Sequence, residues 1–560
     1  VVACGAGAPG DGVDVGRVLA HVDALASKGP RPGGSQAARD AAAYIERELA
    51  SSGLRVERMP VGVVDLPAIE VAGRHVRSAR RAQSTDDNLV VRLGPATGDA
   101  ILVMAHYDSV GGSPGAIDNA AAVGLLIELA RGVSRAPPAM PVVLVFTAEE
   151  EAGLVGAEAF AARFAEQIDF AIALDLVGGD GELTLNGAST LIGGSELRWI
   201  AAAADRAGVV VRAPVAHRVI SRWWPQAERS DHGAFTRRGV RAVHFYHRGH
   251  DGELIDLAYH GPRDVPARVQ RAAVDEMGRL LRALVARPPP PHAGDGFWLP
   301  LVANRVIPRW ALLGFELVLV IVALGALINA RASFVRGGLG LLAALGAFAI
   351  ATAITFAIES ATTARPGAWL HAPLRAELAL ALVLGGTLLL VTVVARRVWA
   401  WTGELRYLVL ATAIPLALGG VLLVLDAPEL AWLFLVPAAV AALAPRLGPA
   451  RVLAAIAPLL PAALVLAPTQ LREAAWNGFL PTTISLTPLV AAFLAPTLAG
   501  VAWLLRRRGQ PGPLGAFVLP VGGLLAIGVG ILVLSLTSPA CSITDFNSFH
   551  LACEQVLGVP

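Results

Sequence analysis

Ala100-Ile-Leu-Val-Met-Ala-His106-Tyr-Asp108, followed by Gly115-Ala-Ile-Asp118-Asn119 and the apolar-periodic stretch from Ala120 to Arg131, decides the fold. A six-residue apolar run without alternation reads as a strand buried on both faces, and the stretch behind it as a crossover helix. Pro141-Val-Val-Leu-Val-Phe and Phe170-Ala-Ile-Ala-Leu repeat the strand pattern. Strand, helix, strand in this order implies an α/β domain with a mostly parallel twisted sheet flanked by helices, whose ligands bind at the carboxyl ends of the strands. Upstream, Asp40-Ala-Ala-Ala-Tyr-Ile-Glu-Arg-Glu-Leu-Ala reads as an amphipathic helix. The α/β pattern runs from about 14 to 286.

It stops at Arg287-Pro-Pro-Pro-Pro-His-Ala-Gly-Asp-Gly, where a polyproline run predicts a stiff, extended linker over 287–300. With 560 residues, 55% of them hydrophobic, and a mean hydropathy of +0.58, the chain is too long for one ordinary domain and too apolar to be wholly soluble. Apolar stretches near 310–330, 337–358, 377–395, 405–425, 430–444, 451–468, 484–505 and 514–536 predict an all-α, multi-pass transmembrane domain of about eight helices over 301–540. Arg331 and Arg336, Arg396, Arg397 and Arg406, Arg446 and Arg451, and Arg506-Arg507-Arg508 fall in every second loop. Taking those loops as cytoplasmic places the N-terminal domain and the 541–560 tail on the extracytoplasmic side of a cell membrane, periplasmic or lumenal. Arg305 and Arg309 oppose this weakly. The lipid bilayer is thus an expected partner, whereas a net charge of +2 without basic patches interleaved with aromatics argues against nucleic acid.

Only Cys4, Cys541 and Cys553 are present, so any metal must be held by His and carboxylates. Cys541 and Cys553 could pair in an oxidising compartment or stay as thiols. Val1-Val2-Ala3-Cys4 resembles the end of a lipoprotein signal, or matches by chance in an Ala/Gly/Val-rich terminus.

His106 and Asp108 sit two apart at the end of the first strand, on one side of the chain. A carboxylate so close to a His suits accepting its ring N–H, turning the other nitrogen toward a metal. Asp118 precedes a helix start and could equally be an N-cap. Glu149-Glu150-Glu151 stand together at the end of a buried strand, where like charges repel unless a cation neutralises them. Asp175 occupies one more strand end. Each has a bland alternative, but successive strand ends converging on one rim do not share one easily.

As an ordered set these residues resemble zinc metallopeptidase family 28. The likeness runs from Gly29-Pro-Arg-Pro-Gly-Gly-Ser through Asp87-Asn-Leu-Val-Val to Tyr259-His260-Gly-Pro-Arg-Asp264. The resemblance implies two zinc ions, with His106 and Asp175 on separate ions, Asp118 bridging both, and Glu151 and His260 completing the ligands. Anchoring on Gly153-Leu154 makes Glu150 the general base and Glu151 the ligand, with Glu149 an extra acid; the earlier register would need an insertion. The implied activity is peptide hydrolysis, most simply by an aminopeptidase acting on peptide substrates. Glu150 takes a proton from the zinc-activated water and returns it to the leaving amine, while Asp108 tunes His106. Gly261 departs from the Thr common in the family. Alternatives are a one-zinc glutaminyl cyclase-like acyltransferase, or an accessory outer domain of a transporter; Glu316 and Glu359 are among few ionisable residues in the spans. Ser230-Asp231-His232 matches a family segment without a metal role. His244, His247 and His250 read as a loop with incidental histidines rather than a second metal site, and Trp223-Trp224 as packing or a substrate wall.

Overall fold

Strands that are apolar on both faces need neighbours and covering layers on each side, and the sheet supplies them. The computed structural model describes residues 13–71, 74–186, 191–213, 230–247, 260–299, 302–329, 349–361, 373–394, 405–446 and 523–534, with isolated positions at 346, 453, 457, 487 and 490. Two helices come first, α1 (Val15–Ala26) and α2 (Gln36–Ala50). Asp14 and Ser35 cap them by accepting from the main-chain N–H groups of Arg17 and Ala38. The strands are β1 (Glu57–Leu66), β2 (Ile69–Val71), β3 (Arg74–Arg77), β4 (Arg80–Leu93), β5 (Ala100–His106), β6 (Val142–Thr147), β7 (Ile168–Leu174), β8 (Leu183–Asn186) and β9 (Arg241–His247). Interleaved with them are α3 (Ala121–Arg135), α4 (Val155–Phe164), α5 (Gly194–Ala207) and, after β9, α6 (Arg271–Val285).

Seven strands form one sheet in the order β1-β4-β6-β5-β7-β9-β8. The middle four, β6-β5-β7-β9, are parallel, and β4 and β8 join them antiparallel, with β1 antiparallel to β4. The sheet is therefore mixed, with the expected parallel arrangement confined to its centre. Every residue of β5 and β6 is buried, as a two-sided core strand requires. The chain leaves β5 through α3 to reach β6, then crosses back through α4 to β7 on the other side of β5. Right-handed crossovers in opposite directions put α3 and α4 on opposite faces. They also open a crevice between the carboxyl ends of β5 and β7, where strand connections diverge.

The Pro-rich segment is bonded to the domain that precedes it. Arg241 donates to the Pro290 carbonyl at 2.7 Å, His292 pairs with the buried Glu196 at 2.9 Å, and Gly194 N–H donates to Gly294 O at 2.7 Å. A short hairpin, Gly296–Trp298 with Val306–Pro308, follows and packs on α5.

The chain divides into two units, Val1–Arg309 and Trp310–Pro560. Among the described residues one helix, Arg309–Ile328, is long and apolar enough to cross a membrane. Its Trp310, Leu317, Val318 and Ile321 are more than half exposed. The apolar helices Pro373–Val394, Leu405–Val424 and Pro428–Leu443, and the shorter Ala349–Ala361 and Gly523–Leu534, fall in stretches expected to span. The expected spans near 451–468 and 484–505 lie almost entirely outside the described residues, as do most of the arginine-rich loops, the three cysteines, Trp223-Trp224 and His250.

Candidate metal centre

β5, β6 and β7 end side by side, with His106 opposite Thr147 in the register of β5 and β6. The ends deliver His106, then Glu149 to Glu151, then Asp175 to one rim. His106 is fully buried, and its Nδ1 lies 3.2 Å from the main-chain oxygen of Asp108. That bond makes Nδ1 the donor and turns Nε2 into the crevice. The Asp108 carboxylate stands farther off, 3.5 Å from Nδ1. It accepts instead from the main-chain N–H groups of Glu150 at 3.1 Å and Glu151 at 3.2 Å. Asp108 therefore fixes the turn that presents the two acids, while its carbonyl orients the imidazole.

Asp118 does not cap α3: that helix starts behind Ala120 without a side-chain cap. Asp118 lies in the irregular turn Ala116–Ala120 and is joined to Asn119 by a cis peptide. Asp264 holds this turn by accepting from Ile117 N–H at 2.7 Å and Asp118 N–H at 3.1 Å, and Asn119 donates to Leu174 O at 2.8 Å. The Asp118 carboxylate thus faces the crevice. Its Oδ1 is 3.2 Å from His106 Nε2, which is 3.5 Å from Asp175 Oδ1. Its Oδ2 is 3.3 Å from His260 Nε2, which is 3.1 Å from Glu151 Oε2. One carboxylate serves two donor sets.

The three consecutive glutamates separate. Glu149, at a positive φ of 53°, turns away and accepts from Ser84 Oγ at 2.6 Å. Glu150 is buried beside the crevice and Glu151 faces His260. Burial pushes Glu150 well above the usual carboxylate range, with Glu151, Asp175 and Asp231 adding to the push and His106 opposing it. Burial and the Asp118 charge push Glu151 up to about 7 against the pull of His260. Burial would raise Asp118 as well, but His106 and His260 reverse this and hold it well below. Burial likewise lowers His260, yet Glu151 and Asp118 bring it up to about 10.

The donor set fits a divalent cation. His106 Nε2 and Glu151 Oε1 are buried without a hydrogen-bond partner, which costs free energy unless something charged meets them. His106, Asp118 and Glu151 present ligand atoms within 4.8 Å of one another. Ligands about 2.0 Å from a tetrahedral ion lie about 3.3 Å apart, and the four separations above run from 3.1 to 3.5 Å. Imidazoles and carboxylates without thiolate suit zinc, manganese or cobalt.

Residues 88–285 match the profile of Peptidase family M28. The chain carries an M28 domain. His106, Asp118, Glu150, Glu151, Asp175 and His260 all lie inside the matched range. Aminopeptidase YwaD of Bacillus subtilis is 29% identical over 199 residues, covering 33% of this chain and 40% of the relative. The vacuolar membrane protease of Candida albicans is 34% identical over 102 residues, covering 18% of this chain and 12% of the relative. The chain thus spans less than half the length of these relatives. Among solved structures, an aminopeptidase from Aneurinibacillus sp. strain AM-1 aligns over 49% of this chain and 93% of its own, at 19% identity and a TM-score of 0.39.

Several residues around the M28 centre escape a reading from spacing. Asp264 was visible only as the end of a motif. Asp231, expected to take no metal, accepts from Thr147 Oγ1 at 2.5 Å, and burial pushes it up to about 6. His244 and His247 belong to β9 rather than a loop, and both are buried, His244 stacked on His232 at 5.4 Å between ring centres. The alternating aromatic run Arg241-Ala-Val-His-Phe-Tyr-His was the missed signal for that strand.

Proposed function

We propose that the chain is a membrane-bound, zinc-dependent metallopeptidase, an aminopeptidase that removes N-terminal residues from peptides using two zinc ions. The observation that carries this is Asp118, whose two oxygens are turned to two different histidines. His106 and Asp175 would hold one ion and His260 and Glu151 the other, with Asp118 shared. Bound zinc supplies Lewis acidity, lowering the pKa of water and polarising the scissile carbonyl. The chain's residues do the rest. Glu150, raised by burial and held by the Asp108 bond to its main chain, accepts the proton of the attacking water and delivers it to the leaving amine. Asp108 keeps Glu150 and Glu151 on their respective tasks.

The domain plan that goes with this reading is a peptidase domain over 14–286, a Pro-rich linker over 287–300, about eight membrane helices over 301–540 and a tail over 541–560. The catalytic side is extracytoplasmic. Support comes from the span-length helix Arg309–Ile328, the alternation of arginine-rich loops in the sequence, and a relative named a vacuolar membrane protease. The test is metal analysis of the purified chain, then release of amino acids from short peptides with free and blocked N-termini. Two metals per chain and cleavage of free N-termini alone are expected. Fewer than two metals, or no cleavage with zinc added, sinks the reading.

A further inference from the structure

Arg31 lies in the Gly29-Pro-Arg-Pro-Gly-Gly-Ser segment, to which the proposed chemistry gives no task. Its side chain is 2% exposed, yet among the described residues no carboxylate forms an ion pair with it. The guanidinium donates only to main-chain carbonyls: Leu25 at 3.2 Å, Tyr107 at 3.1 Å, Pro114 at 2.5 Å and Gly115 at 3.0 Å. Its own main chain is tied to Ser109, accepting from Ser109 N–H at 3.1 Å and donating to Ser109 Oγ at 3.0 Å. A buried guanidinium without an ionic partner is costly. Here burial still dominates, lowering the guanidinium pKa to about 10, but Asp108, Asp264, Asp118 and Glu151 oppose it through space and offset part of the cost.

Three of its four carbonyls belong to the loop between β5 and α3. Tyr107 separates His106 from Asp108, and Pro114 and Gly115 immediately precede the turn that carries Asp118. The loop comes so close that a Cβ on Gly115 would lie 3.1 Å from Arg31 Nη2, at a φ of 65° that already favours glycine. Asp264 grips the same loop with the opposite charge, through the N–H groups of Ile117 and Asp118. A cation takes the carbonyls and an anion the amides, so the loop is clamped from both polarities.

We infer that Arg31 is a positioning residue of the metal centre: through the carbonyls of Tyr107, Pro114 and Gly115 it sets the loop that aims Asp118, and its charge balances the acids gathered there. It touches neither substrate nor metal. This rests on the two-zinc reading, and the experiment separates the two. The full chain and its Arg31→Lys, Arg31→Met and Ser109→Ala variants are stripped with chelator and titrated with cobalt(II). Visible absorption, chelator competition, kcat and KM are followed, and melting of the stripped protein is measured alongside. The parent should take up two cobalt ions. Both Arg31 variants should lose at least about 10-fold in cobalt affinity, the range typical of groups that orient metal ligands. Their visible band should shift, and kcat should fall while KM holds. Lysine keeps the charge but cannot reach four carbonyls, so it should restore less than half the loss seen with methionine, counted in logarithmic units. Ser109→Ala loosens the same anchor without unpairing a charge and should show a smaller change in the same direction. If Arg31→Met melts lower yet keeps the parent's affinity and band, its role is packing and the inference fails. If neither Arg31 variant folds, Ser109→Ala decides, and a parent-like band and affinity overturn the inference. A parent that binds no cobalt overturns this inference and the two-zinc reading together.

Discussion

Glu149, Glu150 and Glu151 are chemically identical neighbours that the backbone sends to three different places. Glu149 goes to Ser84, Glu150 stays buried beside His106, and Glu151 meets His260. Glu150→Gln should therefore retain bound metal and lose activity by about 10²- to 10⁴-fold. Glu151→Gln should lose metal first and activity with it. Metal content and peptide hydrolysis on the same preparations check this, and the reverse pattern would reassign the two residues. Spacing alone put His106, Asp118, the three glutamates 149 to 151 and Asp175 on one rim, because strand ends of a parallel sheet converge whatever the side chains are; the family resemblance, not spacing, told Glu150 from Glu151. It gave less of their bonding. His-x-Asp suggested a carboxylate on the imidazole, whereas the carbonyl of Asp108 does that work and its carboxylate binds two amides. Such main-chain partners depend on the path of a loop, which side-chain types do not encode. Arg31 was opaque for the same reason.

At the scale of elements, α1, α2 and α3 are joined by a polar link inside an apolar layer. Glu128 of α3 accepts from Arg131 and lies 3.1 Å from His21 of α1, while Arg131 reaches Glu48 of α2 at 2.7 Å. Burial pushes the Glu128 carboxyl up, but His21 and Arg131 outweigh it and hold the group below its ordinary value. A carboxylate lowered in the folded state stabilises above its unfolded pKa, and that contribution is lost as pH falls through the folded one. Melting temperature should accordingly drop as the solution is acidified below about pH 4.3, the unperturbed glutamate value. Glu128→Gln should flatten that part of the profile and cost about 3 kcal/mol at neutral pH, the scale for breaking a buried pair. Melting curves of both proteins across pH test it. The helices and central strands were legible because their periodicity is strong. β1 and β4 were not, since as antiparallel outer strands they alternate exposed residues such as Arg58, Asp65 and Gln83 with buried ones, a pattern no continuous apolar run announces. Those strands, and β8, are why the sheet is mixed.

Across the molecule, one helix among the described residues, Arg309–Ile328, is long and apolar enough to cross a membrane. The helix Arg309–Ile328 exposes tryptophan, leucine and isoleucine that water would not tolerate in such number. The chain should stay in the membrane fraction through alkaline carbonate washing and leave it with detergent; release by carbonate would contradict the membrane assignment. Polyproline composition suggested a boundary near 287, whereas the first unit runs to Arg309, and the bonds that follow the prolines were not legible, since hydrogen bonds to carbonyls leave no trace in sequence. Arg241 on Pro290, His292 on Glu196, Gly194 on Gly294 and Arg309 on Asp295 at 3.1 Å fasten this stretch every few residues. A protease needs several consecutive residues free to be drawn out into its cleft, and this stretch offers few. Limited digestion followed by mass spectrometry should find 287–299 and 302–309 uncut while other loops are nicked. On the proposed membrane-bound reading, such a domain would not be shed by a single clip at its stalk, and its activity would stay where the bilayer holds it.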